Sequence, residues 1–149
     1  MKRILVTDDG SDGALNAVDI AAELAAKTGA ELIALAVVDP YRIRVEDISS
    51  LARSEKVGDA EALERLVEAS ADYLGRCREA AHRAGVFHFH ETRRASTDTA
   101  LEIINYAEAN DVDLIVVGCR GRSRIRGLLL GSVSQKLTTH APCSVLIAR

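Results

Sequence analysis

A chain of 149 residues with 48% hydrophobic and 28% charged residues has the size and composition of one globular domain, which excludes a disordered chain. Its longest apolar run, Leu32 to Val38, is far short of the roughly 20 residues that a membrane helix requires, and a net charge of −3 argues against bulk attraction to nucleic acid or to an anionic membrane. The opening Met1-Lys2-Arg3-Ile4-Leu5-Val6 has too little apolar length for a signal peptide, so a cytoplasmic location is expected.

Apolar runs alternate with longer amphipathic stretches. Ile4-Leu5-Val6 reads as a first strand. From Asp12 to Thr28, apolar residues at Leu15, Val18, Ala22 and Ala25 recur at a helical period, with Gly29 as the stop. Glu31 to Val38 is a second strand, ended by Asp39-Pro40. Tyr41 to Gly58 is polar and irregular, with room for a short helix. Asp59 to Ala84 reads as a long helix with Ala60, Leu63, Leu66, Val67, Ala71, Leu74 and Ala81 on its buried side and Gly85 as its stop. Val86 to Arg93 is a third strand, Asp98 to Asn110 a helix, Asp113 to Gly118 a fourth strand, Gly131 to His140 the last helix and Cys143 to Ala148 a fifth strand. Strands separated by helices imply crossovers and a parallel sheet. Near-continuous apolar strands imply a sheet covered on both faces. Residues 1–149 therefore predict a single α/β domain with an open, doubly wound sheet.

The cysteines, Cys77, Cys119 and Cys143, are odd in number and lack metal-ligand spacing, which predicts free thiols in a reducing compartment. Cys143 reads as core. Cys119 lies among arginines that could lower its pKa, which leaves a redox role open to it. His88 and His90 are two apart on a predicted strand and share a face, but no third zinc ligand is evident, and an exposed edge strand is the simpler reading.

The densest chemical signal follows the fourth strand. Gly118, Gly121, Gly131 and Ser132 spell G-x2-G-x9-G-S between a buried strand and a helix start. Glycines allow positive φ, expected here at Gly131, and close approach of a ligand to the backbone. A helix start offers unpaired N–H groups and the positive end of a dipole. Main-chain N–H groups at Gly131, Ser132 and Val133 would hold phosphate, and the hydroxyls of Ser132 and Ser134 could donate to it or cap the helix. In an open α/β sheet, ligands bind beyond the carboxyl ends of the strands where the strand order reverses. If the first and fourth strands are neighbours there, the acidic turn Asp8-Asp9-Gly10-Ser11 faces the glycine loop, and a carboxylate could accept from a ribose or an adenine amino group. The turn has a plainer reading as a helix cap. The P-loop core and the dinucleotide G-x-G-x-x-G are both absent. Of the alternating Arg120, Arg122, Arg124 and Arg126, Arg120 is the foremost candidate for phosphate.

These motifs resemble the universal stress protein family of the UspA type. The glycine motif matches the ATP-binding members, the opening Ile4 to Ser11 resembles I-L-V-a-x-D-G-S, and His140 to Ile147 resembles H-A-P-C-P-V-L-V. The likeness is weakest from Tyr41 to Gly58 and around Ser96 to Thr99. It implies a five-stranded sheet of order 3-2-1-4-5, of the adenine nucleotide alpha hydrolase-like kind, and homodimers through the last strand. It also implies ATP, with ADP or AMP as alternatives, held by Asp9 and Val37 near the adenine and by Gly118, Arg120, Gly121, Gly131, Ser132, Val133 and Ser134 around ribose and phosphates. Asp8 replaces a residue that is usually apolar in the family. It could bind Mg²⁺, or it could repel the phosphates.

Four functions compete. The first is an ATP-dependent dimeric regulator in the stress response, working with unidentified protein partners and without nucleic acid or membrane. The second is a slow Mg²⁺-dependent ATPase or phosphotransferase, for which no base stands out. The third is a phosphorylated receiver domain, which the lack of an Asp at Thr92-Arg93-Arg94 opposes. The fourth is a nucleotide-free interaction protein.

Overall fold

The structure is a computed structural model that describes residues 1–39, 59–119 and 130–149 and, in the helix beginning at Asp59, the side chains of residue 68 and of residues 70 onward. Tyr41 to Gly58 lies outside the described residues. The elements are β1 (Arg3–Thr7), α1 (Asp12–Thr28), β2 (Glu31–Val38), α2 (Asp59–Ala84), β3 (Phe89–Ala95), α3 (Thr99–Ala109), β4 (Leu114–Gly118), α4 (Ser132–His140) and β5 (Ser144–Ala148).

The strands form one sheet in the order β3-β2-β1-β4-β5, and every pairing is parallel. The chain builds outward from β1 to β2 and β3, then returns to the other side of β1 for β4 and β5. The reversal therefore falls between β1 and β4, which pair from Ile4↔Leu114 to Val6↔Val116.

Alternating side chains give the sheet two apolar faces. Ile4 and Val6, Leu32, Ala34 and Ala36, and Leu114 and Val116 face α1 and α2. Leu5, Ile33, Leu35, Ile115 and Val117 face α3 and α4, where they meet Ile103, Tyr106 and Leu137. The α1 contribution to the first core is mostly alanine, at Ala14, Ala17, Ala21, Ala22 and Ala25, so the helix lies close to the sheet. Leu15, expected inside by its spacing, is 38% exposed because the alanine face takes the sheet. On α2 the buried stripe is Ser70, Leu74, Cys77 and Ala81, and the expected Ala71 is turned outward. The expected Ala60, Leu63, Leu66 and Val67 have side chains outside the described set.

Local chemistry sets most boundaries. Ser11 caps α1 by accepting from the Ala14 N–H, and Gly29 ends it in the left-handed region at φ 68°. Asp98 caps α3 by accepting from the Leu101 N–H. β3 begins three residues later than its apolar pattern suggests. The Val86 N–H still closes α2 by donating to the Ala81 carbonyl at 2.9 Å, Phe87 is 97% exposed, and pairing with β2 starts at Leu32↔Phe89. β3 is an edge strand, with His88 and His90 exposed at its start.

Candidate functional site

The carboxyl ends of β1 and β4 stand side by side at the strand-order reversal, and the β1–α1 turn and the start of α4 form the candidate site. The pairing of the two strands runs to Val6↔Val116, just before Thr7 on β1 and Val117 on β4. Beyond β1, the Asp9 Oδ1 accepts from the Ser11 N–H at 3.0 Å, and Ser11 starts α1. Asp9 is half-buried, as is Val37 at the end of β2.

Beyond β4, the Gly131 N–H donates to the Cys119 carbonyl at 2.8 Å, and the Cys119 N–H in turn donates to the Ala148 carbonyl of β5 at 2.7 Å. Ser134 is buried and donates its hydroxyl to the Gly118 carbonyl at 2.8 Å. These bonds tie the first turn of α4 to the end of β4. Gly131 is the N-cap residue of α4, contributes no side-chain cap, and no acidic residue stands in the first turn. The N–H groups of Ser132, Val133 and Ser134 have no partner within the helix, and together with the helix dipole they make that end electropositive.

Two expectations change at this point. Gly131 has φ −74° and ψ 162°, an extended conformation open to any residue, so the expected positive φ is not the reason for this glycine. Ser134 spends its proton on the Gly118 carbonyl, which makes it a tether between strand and helix rather than a free donor. Asp9, Val37 and Gly118 lie at or just past the carboxyl ends of β1, β2 and β4, Gly131 is the N-cap of α4, and Ser132, Val133 and Ser134 form its first turn. Arg120 and Gly121 lie outside the described residues, as do Arg122, Arg124 and Arg126.

Asp8 has a partner that sequence patterning did not reveal. Its side chain is 2% exposed, and its Oδ2 faces the Arg76 guanidinium of α2, which is 34% exposed. Arg76 donates from Nε at 3.2 Å and from Nη2 at 2.9 Å to that one oxygen. The Asp8 Oδ1 accepts from the Gly10 N–H at 2.7 Å. The carboxylate offered for Mg²⁺ is therefore already neutralised, and among the described residues no group of three His, Cys, Asp or Glu gathers around a point. Gly10 takes φ +81°, and a Cβ there would lie 2.7 Å from Cε1 of Tyr73. The signal that could have found Arg76 is the rule that a carboxylate at the buried end of a strand requires a cation.

Cys143 packs against the α3–α4 core, and burial raises its thiol pKa, with a smaller contribution from Asp113.

The universal stress protein family model matches residues 1–149. The chain belongs to the universal stress protein family. It is 34% identical over 147 residues to the universal stress protein YxiE of Bacillus subtilis, an alignment that takes in 99% of this chain and 98% of that one. Universal stress protein UspA from Lactobacillus plantarum superposes with a TM-score of 0.81 at 25% identity, covering 99% and 97% of the two chains. A universal stress protein whose crystal structure was solved in complex with cAMP superposes with a TM-score of 0.68 at 28% identity, covering 99% and 97%. The sheet order 3-2-1-4-5 implied by the resemblance is the order found here.

Proposed function

We propose that this universal stress protein binds an adenine nucleotide, ATP foremost, across the β1–β4 reversal, and acts as a nucleotide-dependent homodimeric regulator of the stress response with little or no hydrolysis. The observation that carries the reading is the α4 N-terminus: it has no side-chain cap and is tethered to the end of β4, the strand paired with β1, whose following turn bears Asp9. Phosphate oxygens fit such an end because they accept from the N–H groups of Ser132 and Val133 and favour the dipole. Asp9 and Val37 would take the adenosine end. The cAMP complex of a relative at 28% identity supports a nucleotide ligand in this fold.

The residues fit binding better than turnover. Ser134 is engaged with a carbonyl, and Asp8 is engaged with Arg76, so neither serves as a nucleophile or a metal ligand. ATP would supply its charge and its contacts, and conformational change would follow from any difference in its affinity for two states. The dimer reading is supported by β5, an edge strand whose Val145, Leu146 and Ile147 are only half-buried.

Calorimetric titration of ATP into wild type and Gly131→Val tests the proposal. Valine adopts the Gly131 backbone without strain, so the variant should fold while its side chain fills the phosphate approach. Saturable micromolar binding that weakens about ten-fold or more in the variant is expected. Equal binding by both proteins would remove the α4 cradle. No binding by wild type would leave the nucleotide-free interaction reading. Light scattering tests the dimer, and a monomer at micromolar concentration would sink it.

A further inference from the structure

Arg76 and Tyr73 stand three residues apart on α2 and together grip the β1–α1 turn on either side of Asp9. Arg76 directs two N–H groups to the Asp8 Oδ2. The Tyr73 ring covers Gly10 so closely that a Cβ there would meet Cε1 at 2.7 Å and Cζ at 3.1 Å. The guanidinium also stacks on that ring, with Cζ 4.9 Å from its centroid. The Gly10 N–H closes the arrangement by donating to the Asp8 Oδ1. Asp9 thus sits between two residues that are each fixed from α2.

We infer that Arg76 is a positioning residue for nucleotide recognition: by holding Asp8 it fixes the backbone of residues 8–10 and aims the Asp9 carboxylate at the adenosine end of the ligand. The inference rests on the nucleotide-site reading above and adds to it a residue from outside the glycine motif. The chemistry is specific to arginine. A planar fork that donates two hydrogen bonds and stacks on a ring fixes the orientation of a carboxylate, whereas lysine supplies a point charge on a flexible stem. A buried carboxylate keeps its place only while its cation and hydrogen bonds remain. A turn held in its binding geometry before the ligand arrives avoids an ordering cost on binding. Among the described residues the phosphate end is tied to β4, through Ser134 and Cys119, and not to α2, so the two ends of the ligand respond differently when Arg76 changes.

Arg76→Lys separates the two ends. Titrations of wild type and variant with ATP, ITP and inorganic triphosphate form the test. ITP replaces the adenine amino donor with a carbonyl oxygen, so a well-aimed carboxylate prefers ATP. In the variant, ATP affinity should fall roughly five- to ten-fold, the ATP-to-ITP preference should shrink toward one, and triphosphate affinity should stay within about two-fold. Should the lysine variant fail to fold, the pair Asp8→Asn with Arg76→Leu removes both charges together and permits the same comparison. An unchanged ATP affinity and ATP-to-ITP ratio overturns the inference and leaves the nucleotide site standing. Equal losses for ATP and triphosphate also overturn it, because they mark a general disturbance. A wild type that binds no ATP overturns the nucleotide site and this inference with it.

Discussion

Gly118 at the end of β4 packs on the backbone of Gly13 in the first turn of α1: a Cβ at Gly118 would lie 2.7 Å from the Gly13 carbonyl carbon, 2.8 Å from its oxygen and 2.9 Å from the Ala14 nitrogen. All three atoms belong to the backbone, so no rotamer change relieves the overlap. The first glycine of the C-terminal motif is thus a packing requirement that lets α1 and its Ser11 cap close on the strand that anchors α4. Gly118→Ala should push α1 away from β4 and destabilise the fold by about 1–3 kcal/mol. Urea denaturation should show a lower midpoint with an unchanged slope. A midpoint equal to wild type would mean that α1 does not press on β4 in solution.

The Asp8–Arg76 pair makes a separate stability prediction. Arg76→Met leaves the Asp8 carboxylate buried without its cation, at a cost of about 2–4 kcal/mol, toward the low side of what broken buried pairs show because Arg76 keeps some exposure to water. Asp8→Val combined with Arg76→Met should recover most of that loss, since an apolar pair of similar volume has no charge to desolvate. Denaturation of the single and double variants checks this. A double variant as unstable as Arg76→Met alone would show that the charge is not the source.

The parts of the fold that were legible in the sequence are those whose signals are local. α1 and β2 occupy the predicted spans because Ser11, Gly29 and Asp39 punctuate them, and α2 ends where Gly85 turns left-handed at φ 75°. The start of β3 was not legible, because it depends on the Val86 N–H closing a helix rather than on apolar pattern. Leu15 misled because the sheet selects alanine on α1, a preference for close approach that hydrophobicity does not express. At the candidate site, the glycine spacing and the resemblance point to the α4 start and to Asp9, which lie after the paired strands β4 and β1. Arg76 and Tyr73 were not, since they lie more than sixty residues from the turn they hold and flank the apolar stripe of their helix. The glycine spacing marks Gly118 as a ligand-lining residue, whereas its backbone contact with α1 appears only once α1 is docked.

Cys77 should be chemically silent in the folded protein. It is buried, and its thiol pKa is pushed from 9.0 up to about 12, first by burial and then by the nearby Asp8 charge. The thiolate is the reactive form. At pH 8, native protein should leave Cys77 unlabelled by iodoacetamide, whereas protein in urea should label fully, as peptide mass analysis would resolve. The same shift has a consequence in alkali. The folded state holds this proton more tightly than the unfolded state, so stability falls as pH rises from about 9 toward about 12. Cys77→Ala should lose less stability over that range than wild type. Rapid labelling of native Cys77, or identical alkaline profiles, would contradict the buried placement.

On the acid side the relevant carboxylate is Asp98, which caps α3 and reaches α4. It accepts from the Lys136 ammonium at 2.8 Å and from the Leu101 N–H at 3.2 Å. These bonds, the lysine contribution first, hold its pKa below the usual carboxylate value. Asp113 is lowered as well, by the backbone N–H groups of Lys2 and Arg3. A depressed folded-state pKa means that the unfolded state takes up the proton first as pH falls. The stabilisation is therefore complete above the unfolded value, near 4, and disappears as pH drops through the folded values. Urea midpoints should decline from about pH 4 downward. Asp98→Asn keeps an oxygen acceptor for the helix cap but loses the charge, so its decline should be shallower than that of wild type. Because the Lys136 pair is exposed, 1 M salt should narrow the difference between the two proteins at pH 7. An acid profile unchanged by Asp98→Asn would place the acid sensitivity in other carboxylates, Asp113 first among them.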